Sequence, residues 1–136
     1  MANKLYLGVD ICEVKRIKAL YNKYGEKFLD RILTENEKHY CLSDQKYLVQ
    51  RIAVRFASKE ALSKAIGLGL NKIGWNKGIN FKDIEIFNDE NGSPGIFLMN
   101  NAAKLQNQLQ IQEWSISVSH TKEYAIVNVA AFSEYN

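Results

Sequence analysis

A long helix whose apolar face is interrupted by polar residues is the feature that most constrains this sequence. Over residues 46–66 apolar side chains recur at helical spacing, and four of them define one face: Val49, Ile52, Ala53 and Phe56. Further along the same face stand Glu60 and Ser63, and Gly67 follows the helix. Since a core residue is due at these positions, the pattern indicates a special role for this end of the helix.

The segment around this helix is strongly basic. Residues 45–82 contain eight basic side chains and one acid, a net charge of +7 against −4 for the rest of the chain. The acid is Glu60, and one interpretation is a solvated helix on which it pairs with Lys64. The other is a site for a polyanionic ligand that also needs a metal, because Arg55, Lys59 and Lys64 recur at about one-turn spacing.

Length and composition predict one domain over residues 1–136. With 46% hydrophobic residues the chain can bury an ordinary core without disulfides. The sequence has no run near the roughly 20 apolar residues of a membrane span and no signal-peptide pattern, so we expect a cytoplasmic protein without a membrane partner. Cys12 and Cys41 lack the spacing of metal ligands and are interpreted as reduced packing thiols.

The apolar patterns predict an α+β fold, a small antiparallel sheet packed with helices around one long central helix. Alternation from Leu5 to Ile11 predicts a half-buried strand with Asp10 at its end. Further strands are expected at residues 84–86, 95–99, 115–119 and 124–132. The turn-forming segment 88–94 predicts a hairpin. Helices are expected over residues 13–24, 26–33, from a capping box at 34–37 to 42, 46–66 and 101–109.

Two polar residues near predicted strand ends are candidates for chemistry. Asp10 either caps the following helix or, on the strand face that carries Gly8, forms an Mg²⁺ site with Glu60, since oxygen ligands suit this ion. His120 is either a partly buried, hydrogen-bonded histidine or a catalytic group. Thr121 beside it either forms the turn or binds a phosphate.

Four blocks of the sequence together resemble the holo-acyl-carrier-protein synthases, the small phosphopantetheinyl transferases of bacterial fatty-acid synthesis. They are Gly8-Val9-Asp10-Ile11 with Arg16, then Arg55-Phe56-Ala57-Ser58-Lys59-Glu60-Ala61-Leu62-Ser63-Lys64-Ala65, then Asn91-Gly92-Ser93-Pro94, then Ser117-Val118-Ser119-His120-Thr121. The second block is the most specific of the four. The resemblance implies a phosphopantetheinyl transferase-like fold and a homotrimer with active sites between adjacent protomers. It also implies transfer of the phosphopantetheinyl arm of coenzyme A to a serine of apo acyl carrier protein, with release of adenosine bisphosphate.

The resemblance implies a role for each matching residue. Asp10 and Glu60 are expected to hold the cofactor Mg²⁺ against the coenzyme A pyrophosphate, and Lys59 to lie beside the reacting phosphate. The expected coenzyme A contacts are Arg55, Ser63, Lys64, Gly67, His120 and Thr121, the last two from a neighbouring protomer. Arg16 is expected to dock the carrier protein, on a basic helix that also carries Lys18 and Lys23. Leu68 departs from the family, which usually has a small polar residue in this glycine turn.

The basic segment alone also fits a noncatalytic module that binds an acidic protein or nucleic acid. A carboxylate within the segment would repel a nucleic-acid strand, and such a module has no need for Asp10 and Glu60. We therefore expect an enzyme without a nucleic-acid partner. The sequence leaves open whether the proton of the acceptor serine passes to water at the metal or to a carboxylate of the site.

Overall fold

The computed structural model describes residues 3–67 and 79–134. The strands are β1 (Asn3–Glu13), β2 (Ile84–Asn88), β3 (Pro94–Leu98), β4 (Ile111–His120) and β5 (Tyr124–Glu134). The helices are α1 (Val14–Tyr24), α2 (Glu26–Ile32), α3 (Glu35–Leu42), α4 (Leu48–Ala65) and α5 (Asn100–Gln108), with a short 3-10 turn at Phe81–Asp83. No helix among these described residues is long and apolar enough to cross a membrane.

The predicted α+β fold is confirmed, and every predicted helix and strand is present with somewhat shifted ends. The strands form two sheets, an antiparallel one in the order β1-β5-β4 and the hairpin β2-β3. The central helix α4 packs on one face of the larger sheet against β1 and β5. This inner face is defined by residues of β1 and β5, namely Tyr6, Asp10, Cys12, Ala125, Val127, Val129 and Ala131.

The first strand is longer than predicted, and this changes the position of Asp10. β1 continues past Asp10 to Glu13, so Asp10 lies within the strand and pairs with Val127 of β5. The N-cap of α1 is Glu13. The prediction of Asp10 at a strand end was therefore wrong, and Asp10 does not cap the following helix.

The opposite face of the larger sheet is apolar and exposed. This outer face carries Leu5, Leu7, Val9, Ile11, Ile126 and Phe132, which are 37–65% exposed. Cross-strand pairing of Leu5 with Phe132 and of Ile11 with Ile126 places these side chains in one patch. The half-buried strand is thus confirmed, but its buried side is the one with Asp10, while its leucines face outward.

Candidate active site

Asp10, Glu60 and Lys64 meet where β1 crosses α4. Lys64 Nζ donates hydrogen bonds to Asp10 Oδ1 at 2.9 Å and to the carbonyl oxygen of Val9 at 3.2 Å. The side chain of Asp10 is buried, and so is Glu60, whereas Lys64 is half exposed. Lys64, which follows Glu60 by one turn of α4, therefore pairs with the Asp10 carboxylate of β1.

Glu60 is a buried carboxyl group without a full set of partners. Its Oε1 atom has no hydrogen-bond partner within residues 3–67 and 79–134. Burial and the adjacent carboxyl group of Asp10 raise the pKa of Glu60 from 4.5 to about 7, although Arg16 and Lys64 oppose this shift. Two carboxylates this close repel each other unless a proton or a cation lies between them. The pair therefore has the donor set and the unmet charge of a divalent-cation site.

Gly8 allows the strand to approach the helix closely enough to form this pair. A Cβ atom at position 8 would lie 1.9 Å from the carbonyl oxygen of Ala61 and 2.8 Å from the amide nitrogen of Ala65. Both are backbone atoms of α4, so they cannot move aside as a side-chain tip would. The absence of a side chain at Gly8 thus sets the distance between Asp10 and Glu60.

A second group of polar side chains lies on another side of α4. Arg55 precedes Glu60 by five residues, which places it about 140° around the helix. Here a groove of about 400 Å³ runs along α4 beside α3 and the β2-β3 hairpin. We call it the α4 groove, and its polar and aromatic lining consists of Tyr40, Tyr47, Gln50, Arg51, Arg55, Asn88 and His120.

The guanidinium group of Arg55 is buried and held in place at the α4 groove. Its Nη2 donates to Asn88 Oδ1 at 2.9 Å, and its centre lies 4.4 Å from the centre of the Tyr40 ring. Arg51 lies 4.1 Å from the same ring and donates to the Tyr40 carbonyl oxygen at 2.9 Å. Arg55 Nε has no partner among the described residues. A fixed cation with a free donor in a groove favours an anionic ligand.

His120 belongs to the α4 groove and is separated from the carboxyl pair. It is exposed at the end of β4, opposite Ala125 of β5, which is in turn opposite Cys12 of β1. Two strand spacings, roughly 10 Å, therefore separate His120 from the strand of Asp10, and α4 lies against β1 and β5 on this face. Within one chain the structure groups His120 with Arg55 and not with Asp10 or Glu60.

Lys59 lies in neither group. It is fully buried, and its Nζ donates to Glu37 Oε1 at 2.6 Å and to the carbonyl oxygens of Ile32 and Phe81 at 2.6 and 2.9 Å. Burial lowers the pKa of Lys59, and the carboxylate of Glu37 opposes that shift. These contacts use all three of its N–H donors. The structure therefore gives Lys59 an internal ion pair and not the predicted position beside a phosphate.

Three other predicted contacts have local roles in this structure. Ser63 is buried and its Oγ donates to the carbonyl oxygen of Glu60 at 2.9 Å. Thr121 Oγ1 accepts from the amides of Glu123 and Tyr124 at 3.2 and 3.0 Å, as a turn-forming residue does. Gly67 is exposed just beyond α4 with φ of 79°. Leu68 and Gly69 of the predicted glycine turn lie outside the described residues.

The predicted docking residues lie exposed on α1, which carries four basic side chains and no acid. Arg16 lies 5.6 Å from the centre of the Phe56 ring, and its charge acts on Glu60. Lys18 and Lys23 lie further along the same helix. Arg16 therefore links the basic helix α1 to the carboxyl pair.

Sequence reasoning missed the contributions of Glu37, Tyr40, Arg51 and Asn88. Glu37 was expected only in the capping box of α3, which is confirmed. Tyr40 and Arg51 meet across the connection between α3 and α4, and no spacing rule predicts such a contact. Asn88 was predicted only as part of the hairpin turn. Its side-chain amide oxygen, which can accept from a basic residue, was a usable signal.

Comparison with known proteins gives consistent matches over nearly the whole chain. The model of the 4′-phosphopantetheinyl transferase superfamily matches residues 6–128. A holo-[acyl-carrier-protein] synthase of Gloeobacter violaceus is 37% identical over 133 residues, 96% of each chain. The crystal structure of this enzyme from Neisseria meningitidis is 33% identical, with a TM-score of 0.82 over 93% of this chain and 96% of that one. The Bacillus anthracis enzyme, in complex with CoA (3′,5′-ADP), is 35% identical, with a TM-score of 0.78 over 98% and 100%.

Proposed function

The chain belongs to the 4′-phosphopantetheinyl transferase superfamily, and we propose that its active site combines the Asp10–Glu60 pair of one copy with the α4 groove of another. The enzyme transfers the phosphopantetheinyl group of coenzyme A to a serine of apo acyl carrier protein. The serine hydroxyl gives its proton to water or to a carboxylate of the site, its oxygen forms a new bond to phosphorus, the pyrophosphate linkage breaks, and adenosine 3′,5′-bisphosphate leaves. We further propose that this reaction serves fatty-acid synthesis.

The Oε1 of Glu60, which has no hydrogen-bond partner among the described residues, is the observation that carries the proposed metal site. Beside it, Asp10 provides a second carboxylate, so these two residues would hold Mg²⁺ and leave its other positions to water and substrate phosphates. When bound, the ion supplies charge neutralisation for the pyrophosphate. Lys64 lies at the same place with an exposed stem, and its ammonium group can orient a phosphate there.

The α4 groove is proposed to bind the nucleotide part of coenzyme A. Arg55 Nε, which bonds to none of the residues that the structure describes, would donate to a phosphate, and the exposed imidazole of His120 lies in the same groove. Tyr40 and Tyr47 provide aromatic surface along the wall. The relative from Bacillus anthracis that binds CoA (3′,5′-ADP) supports a nucleotide ligand for this chain.

A homotrimer is proposed because one chain does not bring the two halves of the site together. His120 and Arg55 lie on one side of α4, whereas Asp10 and Glu60 lie on the other. The exposed apolar outer face of the larger sheet provides a surface for contact with a second copy. Contact between copies would place the α4 groove of one protomer near the carboxyl pair of the next.

The acyl carrier protein is proposed to dock on α1. Carrier proteins of this class are acidic, and Arg16, Lys18 and Lys23 are exposed basic side chains of α1. Arg16 links that helix to the carboxyl pair, because its charge reaches Glu60. The acceptor serine would thus arrive near the proposed metal ligands.

The transferase assignment replaces the alternative of a noncatalytic basic module, since the relatives are enzymes. We take residues 1–136 as one transferase domain, because the family model spans residues 6–128. We also keep the proposal of a cytoplasmic enzyme. Cys12 and Cys41 are both buried as free thiols, as expected in a reducing compartment.

Incubation with coenzyme A, Mg²⁺ and an apo acyl carrier protein tests the function by intact mass. We expect the carrier to gain the mass of one phosphopantetheinyl group, and a carrier whose acceptor serine is replaced by alanine to stay unmodified. Excess chelator should stop the transfer, and added Mg²⁺ or Mn²⁺ should restore it. An unmodified carrier would contradict the function, whereas full turnover in chelator would contradict only the metal site.

A further inference from the structure

A buried ion pair joins Glu37 of α3 to Lys59 of α4, the residue next to Glu60 of the proposed site. Lys59 precedes Glu60 in α4, and Glu37 lies in the first turn of α3. Both side chains are 0% exposed, and Lys59 Nζ lies 2.6 Å from Glu37 Oε1. A pair removed from water in this way needs further hydrogen bonds to offset its desolvation.

The further hydrogen bonds of this pair come from several elements. Lys59 also donates to the carbonyl oxygens of Ile32, at the end of α2, and of Phe81, in the turn before β2. Glu37 Oε1 accepts from the amide of Thr34 at 2.9 Å, and Oε2 accepts from the amide of Ile86 at 2.9 Å. The two side chains therefore tie α2, α3, α4 and β2 together at one point.

The attachment of β2 matters because its hairpin forms part of the α4 groove. The hairpin is a separate sheet, so ladder hydrogen bonds to the β1-β5-β4 sheet do not fix its position. Ile86 lines the groove, and Asn88 on the same strand holds Arg55 at 2.9 Å. A shift of β2 relative to α4 would therefore displace the residue that orients Arg55.

We propose that the Glu37–Lys59 pair is a positioning device for the transfer reaction, which fixes the β2-β3 hairpin against α4 and so sets the shape of the coenzyme A groove. This inference rests on the proposed function, because it concerns the same groove. Lys59 and Glu37 are positioning residues and touch no substrate. A purely stabilising pair would alter the unfolding equilibrium and leave coenzyme A affinity in the folded protein unchanged.

Lys59→Met and Glu37→Gln test this proposal, with coenzyme A as the probe. Lys59→Met keeps the length of the side chain and removes its charge and donors. In the folded fraction of either variant, calorimetry should show a Kd for coenzyme A raised by about tenfold or more, the scale on which small misplacements act. The KM for the carrier protein should stay near the wild-type value, because within the described residues the hydrogen bonds of the pair run to Ile32, Thr34, Phe81 and Ile86 and not to α1.

Hydrogen exchange gives a second readout at a defined atom. The Ile86 amide should exchange faster in both variants. In Glu37→Gln its acceptor loses the charge, and in Lys59→Met the acceptor loses the lysine that holds it in place. The Val127 amide, within β5, should keep its protection. The double variant Lys59→Met, Glu37→Gln leaves no unpaired buried charge, so it should regain stability relative to Lys59→Met without regaining coenzyme A affinity.

Lys38→Met is the matched control on α3. Lys38 forms an ion pair with Asp30 at 2.8 Å at the surface, so this variant loses the same charge without touching the buried cluster. Its coenzyme A affinity and Ile86 exchange should equal those of the wild type. An equal loss of affinity in Lys38→Met would show a general charge effect and overturn the proposal.

Two further results would overturn the positioning role. One is wild-type coenzyme A affinity in folded Lys59→Met and Glu37→Gln, and the other is a fall in kcat alone, which would place Lys59 at the reacting phosphate. If neither variant folds, hydrogen exchange in the wild-type protein tests the proposal. The Ile86 and Thr34 amides both donate to the Glu37 carboxylate, so the two amides should exchange at similar rates. Much faster exchange at Ile86 than at Thr34 would show that Glu37 does not hold β2 in place. A wild-type protein that binds no coenzyme A would instead contradict the proposed function.

Discussion

Asp10 Oδ1 lies 2.9 Å from Lys64 Nζ, and this contact joins β1 to the last turn of α4 beside Glu60. The lysine compensates the charge of Asp10. Glu60 keeps one oxygen that has no partner in the described part of the chain, and burial and Asp10 raise its pKa to about 7. The unmet charge of the site is therefore concentrated on Glu60.

The stability of the metal-free protein should fall as pH rises from about 4.5 to about 7. In this window the folded chain keeps a proton on Glu60 that the unfolded chain has lost, because burial and Asp10 raise the pKa from 4.5 to about 7. The free energy of unfolding should drop by at most about 3 kcal/mol across the window. Denaturant titrations in chelator at several pH values measure it. Glu60→Gln should lose this component of the pH dependence, and an unchanged profile in that variant would assign the slope to another group.

Glu60→Gln should abolish most of the transferase activity while the protein stays folded. The substitution keeps the shape of the side chain and removes the charge needed to hold a divalent cation, so kcat/KM should fall by about 100-fold or more. Asp10→Ala should have a similar effect. Coenzyme A titrations with and without Mg²⁺ provide a readout apart from turnover, since the metal-dependent part of the affinity should vanish. Wild-type turnover in Glu60→Gln would remove Glu60 from the metal site.

Gly8→Ala should reduce both stability and activity, because its Cβ would meet the Ala61 carbonyl oxygen at 1.9 Å. Forcing β1 away from α4 should cost about 3 kcal/mol, the upper range for overpacking, and separate Asp10 from Glu60. Gly25→Ala is the matched control, since no atom of the described residues, its chain neighbours aside, would lie within 4 Å of a Cβ at Gly25. With φ of 59° and ψ of −134° this position is close to a region that only glycine adopts readily, so the control should lose about 1–3 kcal/mol to backbone strain and keep its turnover. Full activity in Gly8→Ala would show that the site tolerates a wider separation.

The elements that the sequence predicted well depend on local patterns. The capping box at Thr34 and Glu37 starts α3 as predicted, and the long helix follows from apolar spacing. The exposed leucines of β1 were not predictable in the same way. Alternation defines two faces of a strand, but which face α4 covers depends on the close approach at Gly8, a tertiary contact.

The candidate site shows the same division between local and tertiary information. The types and order of residues predicted that Asp10 and Glu60 act together, and the structure places them side by side. They did not predict that Lys59 is buried while Lys64 reaches Asp10. Each lysine follows a serine in the sequence, so the local pattern does not distinguish the two. Their positions differ because Glu37 of α3 lies beside Lys59, whereas Asp10 of β1 lies beside Lys64.

Charge reversal on α1 should weaken the carrier protein interaction and spare coenzyme A binding. The double variant Arg16→Glu, Lys18→Glu should raise the KM for the carrier by about tenfold and reduce the salt dependence of association, because rim charges act mainly on encounter. Steady-state kinetics at several salt concentrations measure both. Paired Lys→Glu changes at Lys104 on α5 and Lys46 before α4 alter the net charge equally and should have little effect on the carrier. Unchanged carrier kinetics in the α1 variant would rule out this docking face.

Mixing two inactive variants should restore part of the activity if active sites form between protomers. Within one chain His120 lies on the Arg55 side of α4 and Glu60 on another, so each proposed site needs His120 of one protomer and Glu60 of the next. His120→Ala and Glu60→Ala trimers, dissociated and reassembled together in equal amounts, should place intact partners at about a quarter of the interfaces in random closed rings. We therefore expect up to about a quarter of wild-type turnover, measured after mixed assembly has been verified by native mass. Each variant reassembled alone should stay inactive. Mixed trimers without activity would show that His120 and Glu60 act within one chain. A fully active monomer would exclude a shared site altogether.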